Sequence, residues 1–273
     1  MEDVWVGLLS HRREFMWTRW SRDWVEDLKL EFLLCEGLDP EQGGIQLARI
    51  LRRHGTKFLK TSIYVVEKEP IPRTRWYQVN IELDLLQPDV LADPKHGKGQ
   101  ATLSFILDDL LVRIHQSASF PDLRQVDPVA LGLLDLGRRL YPDLRPRYAW
   151  IDESSGNEPE TEEIKATRLQ YIFWANFWGP AYVERYGRDF LRGAPGWRVE
   201  ELEDGGILYV TTASYVEWWL MARLEHLDPE RPRLRKWLLE RQGPLAVQRA
   251  ALLGYFRTRI PDIELYWARV ELD

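Results

Sequence analysis

Cysteine is almost missing from this chain. Its 273 residues include one, Cys35, so no internal disulfide can form and a cysteine-built zinc site is excluded. Histidine does not fill the gap. His11, His54, His96, His115 and His226 never fall at the three- or four-residue spacing of a helical metal site. No run approaches the about 20 apolar residues that cross a bilayer. The opening, MEDVWVGLLSHRREF, lacks the basic and apolar regions of a secretory signal. These absences predict a cytoplasmic protein with no metal and no membrane contact. No serine sits in a G-x-S-x-G elbow, and His96-Gly97-Lys98-Gly99 lacks the other positions of a phosphate-binding P-loop.

Charge and tryptophan are plentiful. Acidic residues number 43 against 37 lysines and arginines, a formal net charge of -6. That balance disfavours nucleic acid, whose phosphates need clustered basic residues, and suits a partner with a basic face. Thirteen tryptophans each carry a large apolar surface, which makes them core and groove material. With 45% hydrophobic residues over this length, the chain can bury the core of one large domain.

Residues 5–34 read as a helix, because Trp17, Trp20, Trp24 and Leu28 recur three or four apart. That stripe would dock on the body of the protein or on a second copy, which leaves a homo-oligomer open. A short helix is expected over 45–53. Strands are expected over 58–66 and 75–86, the second antiparallel to the first. Residues 100–116 read as an amphipathic helix, 128–140 as a helix opened by Asp127-Pro128, and 148–151 as a strand. The acidic stretch 152–163 reads as a loop. Residues 164–178 read as a helix stopped by Gly179-Pro180, and 181–186 as a short helix ending at Gly187. The runs 197–203 and 207–212 flank Asp204-Gly205-Gly206, a hairpin signal. Ser214 with Glu217 has capping-box spacing, and a long helix follows over 233–257. The tail, 264–272, fits a strand or a helix end equally. The order predicts an α+β fold: one domain over 1–273, an antiparallel or mixed sheet flanked by helices, and helical N-terminal and C-terminal extensions. A sub-boundary, if there is one, falls near 141–156.

One constellation suggests catalysis. Pro142-Asp143, followed by Glu163-Ile164-Lys165, matches the PD and ExK elements of restriction-type nucleases. There, two carboxylates hold Mg²⁺ and a lysine stands beside the attacking water. On this reading Asp143, Glu163 and Lys165 are catalytic, but the triplet leads into a helical pattern where a strand is needed. The competing reading is a protein interface. Glu160, Glu162 and Glu163 form one acidic run, and Glu200, Glu201 and Glu203 another. Trp178 and Trp197 lie nearby as aromatic anchors.

The densest block, 169–219, carries a family resemblance. Trp174-Ala175-Asn176-Phe177-Trp178-Gly179-Pro180 is followed by Tyr182-Val183-Glu184-Arg185-Tyr186-Gly187, then Leu191, Pro195 and the Asp204-Gly205-Gly206 hairpin. This pattern resembles the immunity protein 52 group and related type VI immunity domains of bacteria, over about the C-terminal half of the chain. The resemblance implies an α+β fold without a cofactor and a non-enzymatic role: binding and neutralising a toxin, a basic toxin domain given the charge. The tryptophan-rich start and the long helical tail depart from the pattern. They keep a second role in view, as a structural component of an anti-phage defence assembly.

Overall fold

The computed structural model describes residues 26–35, 43–54, 64–67, 75–81, 100–106, 111–119, 126–153, 161–224 and 232–266. The first described strand, β1 (Glu26–Leu34), alternates Leu28, Leu30 and Phe32 with Lys29 and Glu31. Such a two-residue period puts the apolar side chains on one face of a sheet. Helix α1 (Gly43–Arg53) follows. Four strands then run in a meander: β2 (Tyr64–Glu67), β3 (Arg75–Ile81), β4 (Gln100–Ile106) and β5 (Leu111–Ser119). The meander returns to β1, whose other edge is bonded to β6 (Pro146–Glu153). From there the sheet continues through β8 (Ala175–Trp178) and β10 (Ile207–Val210) to β9 (Arg198–Glu201). The result is a nine-stranded sheet in the order β2-β3-β4-β5-β1-β6-β8-β10-β9. Every neighbouring pair in it is antiparallel.

Helix α2 (Val126–Leu144) covers the face that carries Leu30 and Phe177. Its buried residues Val126, Val129, Leu133, Leu136, Leu140 and Leu144 recur three or four apart, as one helical stripe requires. Gly137 lets the helix approach closely, since a Cβ there would lie 2.8 Å from the Phe177 ring. The opposite face is packed with rings. Tyr148, Trp150, Phe173 and Tyr182 form one group, with Tyr148 and Tyr182 5.2 Å apart. Trp178 stacks on Tyr209 at 5.1 Å, and Phe256 meets both edge-on.

Short helices α3 (Thr161–Lys165), α4 (Pro180–Tyr186), α5 (Arg188–Arg192) and α6 (Tyr215–Ala222) and the long α7 (Pro232–Arg257) complete the body. A parallel pair, β7 (Tyr171–Ile172) with β11 (Glu264–Leu265), ties the C-terminal segment to the core. Gly187 separates α4 from α5 at φ 89°, a conformation that L side chains rarely adopt.

The α+β class, the antiparallel strands β2 and β3, the hairpin at 204–206 and the helices α1, α2, α4, α6 and α7 agree with the sequence reading. Three expected helices do not. Residues 26–34 of the expected first helix are β1, and the remainder of that segment lies outside the described residues. The expected helix over 100–116 contains strands β4 and β5, so the P-loop-like segment before it leads into a strand. The expected helix over 164–178 contains only the end of α3, followed by β7 and β8. Asp152 and Glu153, read as loop, are the buried end of β6. The tail 264–265 is a strand. Glu160 lies outside the described residues.

Candidate interaction surface

The β9–β10 hairpin is built to be rigid. Asp204 Oδ1 accepts from the Gly206 amide at 2.9 Å, and the buried Tyr141 hydroxyl donates to Asp204 Oδ2 at 3.1 Å. Burial, together with the adjacent Asp204 charge, keeps that phenol above its ordinary pKa, so it stays a donor. Gly205 takes φ 87°, which the tight turn demands. At the open end, the Trp197 amide donates to Val210 O at 3.0 Å, and Tyr209 Oη donates to Pro195 O at 2.7 Å.

These bonds hold the backbone at Trp197 in place, with the residue 46% exposed. The ring stands beside a cleft of about 320 Å³, whose other walls come from Thr211, Thr212, Glu217, Gln248 and Ala251. Arg198 lies 5.9 Å from the ring centroid. Tryptophan placed this way, with apolar area outward and charged neighbours, is the usual anchor of a protein interface.

The hairpin carboxylates are already engaged. Glu200 pairs with Arg198 and, at 2.9 Å, with Arg138 of α2. Glu201 is held by Arg188 at 3.3 Å and Arg192 at 3.0 Å. On α3, Glu162 pairs with Lys165 at 2.9 Å and Glu163 with Arg168. Glu203 is exposed. The surface expected to be a bare acidic patch is thus a mosaic of local ion pairs. Trp178, expected as an anchor, is fully buried against Tyr209 and offers no surface. It lies on β8, bonded on both sides and covered by Phe256, so packing consumes the whole ring.

The nuclease triad has separate commitments. Asp143 receives His54 Nε2 at 2.7 Å and Arg53 at 3.3 Å, an arrangement that fastens the end of α1 to α2. Arg139 caps the same end through His54 O. Lys165 sits on helix α3 rather than on a strand. Among the described residues no group of three or more His, Cys, Asp or Glu could hold a metal ion.

Sequence reasoning missed an ionic network inside the molecule. Lys29 and Glu31 of β1 are fully buried, 3.1 Å apart. Register sets Lys29 opposite Asp152 of β6. Asp152 accepts four hydrogen bonds: from the Glu153 amide (2.8 Å), the Trp174 amide (3.0 Å), Tyr215 Oη (2.8 Å) and Trp218 Nε1 (2.9 Å). Burial nevertheless pushes its carboxyl up to about 6, against the pull of these donors and of Arg223. Arg223 pairs with buried Glu153 and lies 4.6 Å from the centre of the Trp219 ring. These groups come from β1, β6, the residue before β8, and α6 with the arginine that follows it, so no short motif announces them.

Fold and surface together define an α+β protein with a rigid hairpin that carries an exposed tryptophan at its open end. No family model matches the sequence, and no curated protein matches it. Among solved structures, a T6SS protein of Pseudomonas aeruginosa is similar at 12% identity and TM-score 0.39, over 67% of this chain and 69% of that one. A chain of the crystal structure of the toxic C-terminal tip of CdiA from Pseudomonas aeruginosa in complex with immune protein is similar at 14% identity and TM-score 0.31. That match covers 50% of this chain and 90% of the other. Likenesses this distant carry no functional argument. No helix among the described residues is long and apolar enough to cross a membrane.

Proposed function

We propose that this chain is a non-enzymatic binding protein of the immunity kind, which neutralises a toxin domain by stoichiometric occlusion. The observation that carries the reading is the exposed Trp197, locked on a hairpin at the mouth of a cleft. A backbone held in one position before contact lowers the ordering cost of binding. Around Trp197, Glu200, Glu201 and Glu203 form a charged rim. Because Glu200 and Glu201 already carry arginine partners, they direct and orient a basic partner rather than supply most of the affinity.

Co-expression with a basic toxin domain tests this. The chain should protect the cells and co-purify with the domain in a one-to-one complex. Trp197→Ala should weaken that complex by about 30-fold, as loss of a tryptophan hot spot does, with an unchanged melting temperature. Undiminished killing in cells that express the intact chain would remove the proposal.

A further inference from the structure

We infer that the chain also binds a second copy of itself, through antiparallel pairing of the two β9 strands about a two-fold axis at Val199. Among the described residues β9 is the last strand of the sheet, bonded to β10 on one side only. Its outer edge therefore presents unpaired backbone donors and acceptors, a template for another strand.

The side chains select the partner. Arg198 and Glu200 lie opposite Val210 and Leu208, on one face, while Val199 lies opposite Tyr209, on the other. Residues directly opposite in an antiparallel pair share a face. Centring the pairing on Val199 places Arg198 of each copy against Glu200 of the other and Val199 against Val199. The triplet Arg-Val-Glu is thus its own charge complement when read backwards. Centring on Arg198 would set arginine against arginine, and centring on Glu200 would set glutamate against glutamate. Charge admits one register and rejects both neighbours, which is how like-charge contacts confer specificity. Charges on an edge strand ordinarily deter pairing; here they deter every partner but the matching one.

The flanks agree with this register. It brings Trp197 of one copy next to Glu201 of the other. Glu201 is accompanied by Arg188 and Arg192, whose side chains are 42% and 57% exposed. A guanidinium there can stack on the incoming indole. The four-residue length of β9 makes this a weak, micromolar association.

The experiment uses the full chain alone, so its failure leaves the toxin-binding proposal untouched. Sedimentation equilibrium on the intact protein should show a monomer–dimer equilibrium. Arg198→Glu and Glu200→Arg, each alone, should weaken it by at least about tenfold, since each creates two like-charge contacts. The double swap should restore it to within about threefold, because the complement is rebuilt with signs exchanged. Val199→Cys in a Cys35→Ser background should form a disulfide dimer on mild oxidation, and Glu203→Cys in the same background should not. Circular dichroism confirms that each variant is folded. A purely monomeric wild-type chain at about 100 μM, far above the dissociation constant expected for a micromolar pair, overturns the inference. So does a dimer indifferent to both charge swaps, or a folded Val199→Cys variant that stays uncrosslinked.

Discussion

Asp152, 1% exposed, ties β6 to the residue before β8 and to α6 through its carboxylate. Its pKa stands at about 6 in the fold against 3.8 as the ordinary value. Below pH about 4, folded and unfolded chains both hold the proton. Between about 4 and 6 the unfolded chain releases it first, so this group's contribution falls as pH rises, by about 3 kcal/mol in all. Asp152→Asn should abolish that slope. At neutral pH it should also cost about 2–4 kcal/mol, because the amide nitrogen would face two donors. Urea unfolding of both proteins from pH 4 to 7 measures this; parallel curves would refute the assignment. The residue itself was plain in the sequence, but three of its four donors lie more than 20 positions away, and the two members of the His54–Asp143 pair are as far apart. Contacts between segments leave no spacing to read. Trp197, expected as an anchor beside the hairpin signal, is exposed. Trp178 carried the same composition cue yet is core, since burial depends on which strands lie on either side.

At the scale of elements, local chemistry was readable wherever a cap or turn marked the boundary. Ser214 Oγ accepts from the Glu217 amide at 3.2 Å, as the capping spacing requires. Gly179-Pro180 opens α4, and Asp204-Gly205-Gly206 turns the hairpin. The misread segments share a cause. In β4, Ala101, Leu103 and Phe105 alternate with Gln100, Thr102 and Ser104, but merging β4 with the apolar start of β5 imitates a helical stripe. In β8 both faces are buried, so Ala175, Phe177 and Trp178 fall on both faces around the one polar residue, Asn176, and periodicity cannot separate strand from helix. Two glycines give opposite predictions. At Gly179 a Cβ would lie 2.7 Å from the carbonyl oxygens of Pro146 and Arg147. Alanine there must push α4 off β6, at about 1–3 kcal/mol. At Gly254, inside α7, a Cβ would meet nothing within 4 Å. Alanine there should stabilise by about 0.5–1 kcal/mol. Thermal melts should move down for Gly179→Ala and up for Gly254→Ala; the reverse order would disprove the packing argument.

For the whole molecule, the α+β class was legible and the extent of the sheet was not. Strand order is set by pairings across the chain, which composition and periodicity do not encode. β6, inside the segment proposed as a sub-boundary, is bonded to β1 on one side and β8 on the other. One continuous hydrogen-bonded sheet should melt as one unit. Far-ultraviolet circular dichroism and tryptophan fluorescence should therefore report coincident unfolding transitions; two separated transitions would argue for independent halves.

The place of β1 also bears on how the protein is made. It is the first described strand to leave the ribosome, yet its register partners lie at 111–119 and 146–153. The nascent polypeptide must carry this strand unpaired until 111–119, and then 146–153, have been translated. Closure then depends on meetings between distant residues, the slowest kind to arrange. During that interval the strand's backbone donors and acceptors stay open to wrong partners, as on any unpaired edge.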